Sequence, residues 1–236
     1  METHSSRMLD RFGAVSGVAA VLLLLGLFMV FPALPTPDEP IGTIARSASD
    51  DADALLRGAY VGTLMTGALV LFGASLAARL RRAEGPSGGW WIVALAGIAG
   101  TAMGIVADAL VVTFVRAVGH GAAGASLWIG YGADHWIGTL LAMPIAIFLL
   151  GAGFGSRASG ALPRWLGWLA IVLSVGFVVG AGSVTGDEVD GGFLGVVLFF
   201  AYIGLLVWIV GASVSMLRRP VGRSVSVETA ATEALA

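Results

Sequence analysis

This sequence of 236 residues has little charge, no lysine and no cysteine. Only 12% of its residues are Asp, Glu, Lys or Arg, whereas about a quarter are charged in an average soluble domain. That is too little charge to cover a surface facing water. All 13 basic residues are arginine and they form no dense basic stretch, so a nucleic-acid partner is excluded. Without cysteine there are no disulfide bonds and no thiolate metal sites.

Six apolar segments, separated by charged or Gly/Pro-rich breaks, fill most of the chain. A helix needs about 20 apolar residues to cross a bilayer, and each segment is long enough. The segments cover about 12–34, 55–78, 90–115, 126–150, 163–184 and 193–217. We therefore predict an all-α polytopic membrane protein with a six-helix transmembrane bundle over 1–217. We expect the remaining residues, 218–236, to form a mobile cytoplasmic tail.

The arginines are distributed unevenly between the two sides of this predicted bundle. Ten of the 13 flank the segments on one side: Arg7, Arg11, Arg79, Arg81, Arg82, Arg157, Arg164, Arg218, Arg219 and Arg223. The opposite side has acidic loops with Asp38, Glu39, Asp50, Asp51, Asp53, Asp187, Glu188 and Asp190. The positive-inside rule then predicts a multi-pass protein of the inner (plasma) membrane of the cell, with both termini in the cytoplasm.

The first apolar segment has two interpretations. Arg7 and Arg11 precede it, as basic residues precede the core of a signal peptide. Its apolar run of about 20 residues is, however, longer than the usual 7 to 15, and Phe31 to Pro35 form a poor cleavage site. We expect a retained helix. The loop after it, about 35–54, is predicted to carry a short surface helix near Asp50 to Leu56.

The stretch from Gly160 to Trp168, read as Gly-Ala-Leu-Pro-Arg-Trp-Leu-Gly-Trp, enters the fifth segment. It resembles the corresponding inner loop of a broad set of six-helix membrane proteins from actinobacteria and related bacteria, grouped as domains of unknown function. The resemblance implies the same fold and location, and it brings no catalytic residues. Independently of it, Pro163 suits the first turn of a helix, and Arg164 marks the cytoplasmic side.

A few ionisable residues lie inside the predicted spans, where they are costly and usually face the bundle interior. Asp108 lies in the third span, and Asp134 and His135 lie in the fourth. Counting from the span ends at 1.5 Å per residue places all three at a similar depth, about 9 to 14 Å below one surface. Consecutive helices joined by a short loop are neighbours as a rule. We expect the two carboxylates to line the same cavity.

Three further side chains complete this predicted site. His135 or Arg116 would offset the repulsion between the carboxylates, and Tyr131 lies one helical turn before His135. Pro144 is a candidate hinge, because proline in a helix interior removes a hydrogen bond and kinks the helix. The alternative is that these polar groups are only hydrated from the loops and have a structural or interfacial role.

Small residues spaced four apart accompany both aspartates. Such ridges let membrane helices approach closely, and we expect them to pack against a neighbouring helix, a second copy or another membrane protein. The ridges are Gly100-Gly104-Asp108 and Gly130-Asp134-Gly138-Ala142.

No cofactor or metal site is predicted. The chain has three histidines, His4, His120 and His135, which is too few for a His-rich site, and we expect His120 in an exposed loop. Nucleotide-binding and nucleophile motifs are absent in any convincing context.

Three functions are compatible with these patterns. The first is small-molecule or proton-linked transport or binding, through an outward-facing polar cavity at Asp108, Asp134 and His135 for a small apolar or cationic ligand. The second is a membrane-embedded enzyme that uses the carboxylates as acid and base on a lipid-like substrate. The lack of a metal or nucleophile signature weighs against it. The third is a structural or regulatory partner of another membrane protein.

Overall fold

The computed structural model describes residues 4–32, 35, 39–121, 125–185 and 192–218. Within these ranges the chain is almost entirely helical and contains no strand. Six helical segments are long and apolar enough to cross a membrane, which confirms the predicted all-α, six-span class. The residues Asp38, Asp187, Glu188 and Asp190 and the tail from 219 onward lie outside the described residues.

Nine α-helices build the described part of the chain. They are α1 (His4–Val30), α2 (Ile41–Asp50), α3 (Ala52–Glu84), α4 (Trp90–Thr101), α5 (Met103–Gly119), α6 (Ala125–Leu140), α7 (Ala142–Ser159), α8 (Arg164–Ala181) and α9 (Phe193–Arg218). Helices α4 and α5 together form the third span, and α6 and α7 form the fourth. At 10 residues, α2 is too short to cross a bilayer.

Several helices extend beyond the predicted apolar segments. Helix α1 begins at His4, α3 continues to Glu84, and α7 continues to Ser159. Hydropathy marks only the part of a helix that lies in lipid, whereas arginine, alanine and glutamate continue a helix readily in water. The short surface helix near Asp50 to Leu56 was predicted in the wrong place. The short helix is α2, which ends at Asp50, and α3 begins two residues later.

The third and fourth spans are each interrupted at one residue, Ala102 and Leu141 respectively. Pro144 explains the second interruption, because its nitrogen has no hydrogen to donate to the carbonyl oxygen four residues earlier. At Ala102 the backbone amide donates to the carbonyl of Ala99 at 3.2 Å, three residues back. This is the tighter 3₁₀ pattern. The sequence predicted the interruption near Pro144 and missed the one at Ala102.

The two interruptions lie against each other in the bundle. A Cβ added to Gly100 would lie 2.7 Å from the Cβ of Pro144, and one added to Gly104 would lie 3.8 Å from Cδ1 of Leu141. The glycine ridge of the third span therefore packs on the fourth span at the level where both helices are irregular.

Helices α4 and α7 also touch backbone to backbone. A Cβ on Gly97 would lie 2.2 Å from the backbone nitrogen of Phe148, and one on Gly151 would lie 2.3 Å from that of Ala94. No side chain fits at these two positions, so glycine is what permits the close approach.

One end of the bundle is closed by a buried ion-pair network, and we call it the arginine end. Arg79 of α3 donates from a terminal guanidinium nitrogen to Oδ2 of Asp10 on α1 at 2.8 Å, and from Nε to the carbonyl of Ala161 at 3.1 Å. Arg82 donates to the other oxygen of Asp10. The side chains of Arg79 and Asp10 are only 1% and 8% exposed. The network joins α1, α3 and the α7–α8 connection.

The opposite end has its own apolar cluster beneath α2. Ile44 and Ala48 of α2 are fully buried, and they belong to a cluster with Phe114 of α5 and Tyr131 of α6. The Tyr131 hydroxyl donates to the backbone carbonyl of Pro35. Helix α2 therefore covers this end of the bundle.

Candidate functional site

Asp108 is an acidic side chain well inside the third span, and it faces α3. The hydroxyl of Thr63 donates to its Oδ2 at 3.1 Å. The same hydroxyl also approaches the carbonyl of Ala59 at 3.0 Å. Asp108 is half-buried. Within the described residues, no basic side chain forms an ion pair with it.

The contact between α3 and α5 is made by small and polar residues in antiparallel register. A Cβ on Gly62 would lie 2.4 Å from Oδ1 of Asp108, and one on Gly104 would lie 2.9 Å from Oγ1 of Thr66. Thr66 is buried. We call these five residues, Gly62, Thr63, Thr66, Gly104 and Asp108, the polar seam. Its glycines let the two backbones approach and leave the carboxylate room between them.

The other predicted site residues have different surroundings. Tyr131 is buried, its ring centroid lies 5.2 Å from that of Phe114, and its hydroxyl is bonded to Pro35. His135 is half-buried and lies edge-on to Trp136, with ring centroids 5.2 Å apart. Both lie on α6, which packs against α5. Neither makes a described hydrogen bond to Asp108.

Arg116 is exposed near the end of α5, eight residues after Asp108. A helical rise of 1.5 Å per residue separates their backbones by about 12 Å along the axis. Arg116 makes no described ion pair with Asp108, and its predicted role beside the second carboxylate stays a prediction.

The side chain of Asp134 lies outside the described residues, although its backbone belongs to α6. The prediction that Asp108 and Asp134 share a cavity stays a prediction. On the predicted α6 ridge, a Cβ added to Gly130 would meet nothing within 4 Å.

Sequence reasoning missed the α3 half of the polar seam, although a signal was present. Gly58, Gly62 and Thr66 are spaced four apart, the same small-residue spacing that drew attention to Gly100, Gly104 and Asp108. Two ridges of this kind on different helices predict a close helix pair. Which ridge meets which depends on tertiary packing, and one sequence does not contain that information.

Sequence reasoning also missed the acidic residues at the arginine end. Asp10 and Glu84 lie close to arginines in the sequence. A count of the charges on each side of the bundle does not show which basic residue pairs with which acid. Glu84 lines a cavity of about 250 Å³ between the α3–α4 turn and the end of α7.

The described residues contain no group of three or more His, Asp or Glu side chains placed to hold a metal ion. His120 is exposed in the turn after α5.

Together the fold and the polar seam define a helical multi-pass membrane protein with a carboxylate inside one span. No family model, curated protein or solved structure matches the chain. The resemblance to the six-helix bacterial set therefore has no further support, and the function is inferred from the geometry alone.

Proposed function

We propose that this protein binds and moves a proton or a small cationic ligand through a site centred on Asp108. The observation that carries the proposal is the set of groups around the Asp108 carboxylate. It lies in an apolar span, bonds to one neutral hydroxyl, and has no described basic partner. A carboxylate in a membrane span is expensive to maintain without a functional reason. A positively charged ligand or a proton offsets that cost.

The polar seam supplies the rest of the site. Thr63 donates its hydroxyl to Oδ2, which fixes the carboxylate's orientation. Gly62 leaves Oδ1 against bare backbone, so no side chain of that residue blocks the approach of a ligand. Asp108 lies nearer to the end of the bundle opposite the arginine end, so we place the entrance there.

The interrupted helices provide a means of movement. Helices broken inside the bilayer are common where transporters bind substrates and ions, because irregular backbone is tolerated next to a cavity. Here the interruptions at Ala102 and Leu141 lie next to each other, and Ala102 precedes Asp108 in the chain by less than two helical turns. Pro144 keeps its predicted role as the hinge.

The test measures proton-coupled movement of a fluorescent lipophilic cation in vesicles containing the purified protein. We expect uptake driven by a pH gradient in the wild type and none in Asp108→Asn, which keeps the size of the side chain and removes its charge. Asp108→Glu should retain part of the uptake. Asp53→Asn is the matched control, because Asp53 is an exposed acid in the first turn of α3, outside the polar seam.

A second measurement does not require the correct substrate to be known. A hydrophobic carbodiimide should label Asp108 from the lipid phase, and mass spectrometry locates the adduct. Excess transported cation should protect the residue. Unchanged uptake in Asp108→Asn, together with carbodiimide labelling that no cation affects, would show that Asp108 has a structural role only.

A further inference from the structure

A second polar site lies at the arginine end, in the cavity of about 250 Å³ between the α3–α4 turn and the end of α7. Its walls include Glu84, Trp90 and Ser87. The cavity lies where two spans end, Ala52–Glu84 and Trp90–Gly119. It is therefore at one end of the bundle, remote from the polar seam.

Glu84 is an acid with spare hydrogen-bonding capacity. Its Oε2 accepts a hydrogen bond from the backbone amide of Trp90 at 3.0 Å. Its Oε1 is buried against Gly155 of α7 and has no hydrogen-bond partner. A carboxylate accepts hydrogen bonds only, and a buried oxygen without a donor is costly. Oε1 of Glu84 therefore lacks a hydrogen-bond donor, and a cationic donor would offset the cost of its burial.

The three arginines nearest the cavity in the chain, Arg81, Arg82 and Arg157, contact other groups. Arg82 pairs with Asp10. The guanidinium of Arg81 lies 5.1 Å from the centre of the Trp91 ring, and that of Arg157 lies 3.6 Å from the centre of the Trp168 ring. Glu84 is thus the only charged side chain among the residues that line the cavity, and no described arginine pairs with it.

Trp90 adds an aromatic wall. Its ring stacks on Phe154 with centroids 4.8 Å apart and planes 24° apart, so one face is covered, and Trp90 is still 37% exposed. The face of a tryptophan ring attracts organic cations. A carboxylate and a tryptophan ring together suit an ammonium ion, whereas the carboxylate repels a phosphate or carboxylate group.

We propose that this cavity binds an organic ammonium group, held by Glu84 and Trp90. Glu84 lines the cavity, and the broad terminal torsion of a glutamate lets its carboxylate rotate as a unit, so that an ammonium ion in the cavity donates to one of its two oxygens. Two sources have this chemistry: the amine of a phosphatidylethanolamine headgroup and a small free amine. The proposal does not depend on Asp108, and its variants should leave cation uptake through the polar seam unchanged.

The experiment separates ligand binding from the structural role of Glu84 at the start of α4. Glu84→Gln keeps an oxygen that accepts the Trp90 amide hydrogen and loses the charge. Glu84→Ala loses both. Equilibrium dialysis of radiolabelled ethanolamine, with protein in phosphatidylglycerol nanodiscs, tests the free amine. Native mass spectrometry of protein from membranes that contain phosphatidylethanolamine tests the lipid.

We expect binding in at least one arm, weakened about tenfold in Glu84→Gln, as loss of one charge-assisted hydrogen bond predicts. Trp90→Leu should also weaken binding. The thermal stability of Glu84→Gln should match the wild type, whereas Glu84→Ala should be less stable. Equal binding by wild type and Glu84→Gln, or no binding in either arm, would overturn the proposal and leave Glu84 as a helix cap.

Discussion

At the scale of single residues, the contact between Gly62 and Asp108 determines where the carboxylate lies. A Cβ at Gly62 would come 2.4 Å from Oδ1, so Gly62→Ala must displace the aspartate or separate α3 from α5. We expect a loss of about 1 to 3 kcal/mol in the free energy of unfolding, as for other overpacked positions, and altered carbodiimide labelling of Asp108. Unfolding in SDS measures the first effect.

Gly67 is the matched control for this substitution. It lies on the same helix, and a Cβ there would meet nothing within 4 Å. Gly67→Ala should therefore leave labelling unchanged and shift stability by at most about 1 kcal/mol, the range of intrinsic helix propensity. Similar effects from both substitutions would mean that Gly62 is not a close-contact position.

The same residues show what sequence supplies at this scale. Asp108 could be selected in advance, because a charge in an apolar run is visible without any fold. Its partner Thr63 lies 45 positions earlier in the chain and looks like any threonine in a membrane helix. Nothing local distinguishes it from Thr113, whose hydroxyl bonds within its own helix.

At the scale of helices, the buried network at the arginine end holds α1 against α3. Asp10→Ala removes the carboxylate and leaves the buried guanidinium of Arg79 with one fewer anionic partner. We expect a loss of about 3 kcal/mol or more in the free energy of unfolding, because breaking a buried ion pair strands a charge. SDS unfolding of the purified protein checks this value.

An exposed acid provides the comparison for Asp10→Ala. Asp53 lies in the first turn of α3 and is exposed, so Asp53→Ala should change stability by no more than about 0.5 kcal/mol. If the two substitutions cost the same, Asp10 contributes no more than any surface acid, and the network does not hold the helices together.

Helix bounds were predictable where composition changes sharply and not elsewhere. Pro163 marks the start of α8, and it is the N-cap residue of that helix. Pro144 marked the interruption of the fourth span. The interruption at Ala102 follows no proline, and Gly100 beside it is one of many glycines in these spans. The packing of Pro144 against Gly100 accounts for this interruption, and that packing is visible only in the structure.

At the scale of the whole molecule, orientation in the membrane is a prediction with a direct test. The chain has no cysteine, so single cysteines can be introduced into the natural sequence. Ser49 of α2 and Ser87 of the α3–α4 turn are both exposed. With both termini in the cytoplasm, a membrane-impermeant maleimide added to intact cells should label Ser49→Cys and not Ser87→Cys.

Permeabilised cells provide the control, because both variants should then be labelled. The reverse pattern in intact cells would place the arginine end outside, contrary to the positive-inside rule. The number of spans was predictable because each needs a long apolar run. The arrangement of the spans around α3 was not, because apolar faces of this kind pack without a distinctive sequence.

The bond from Arg79 to the carbonyl of Ala161 also has a consequence for the order in which the protein is made. The partners of this network are 69 and 82 positions from Arg79, one on each side. Asp10 is synthesised before the arginine, whereas residue 161 follows two further spans. A nascent chain with only two spans can therefore pair α1 with α3, but Arg79 gains its Ala161 bond only after the fourth span has been synthesised. Assembly of the arginine end is thus a late step in biogenesis, one that a chain truncated before residue 161 does not reach.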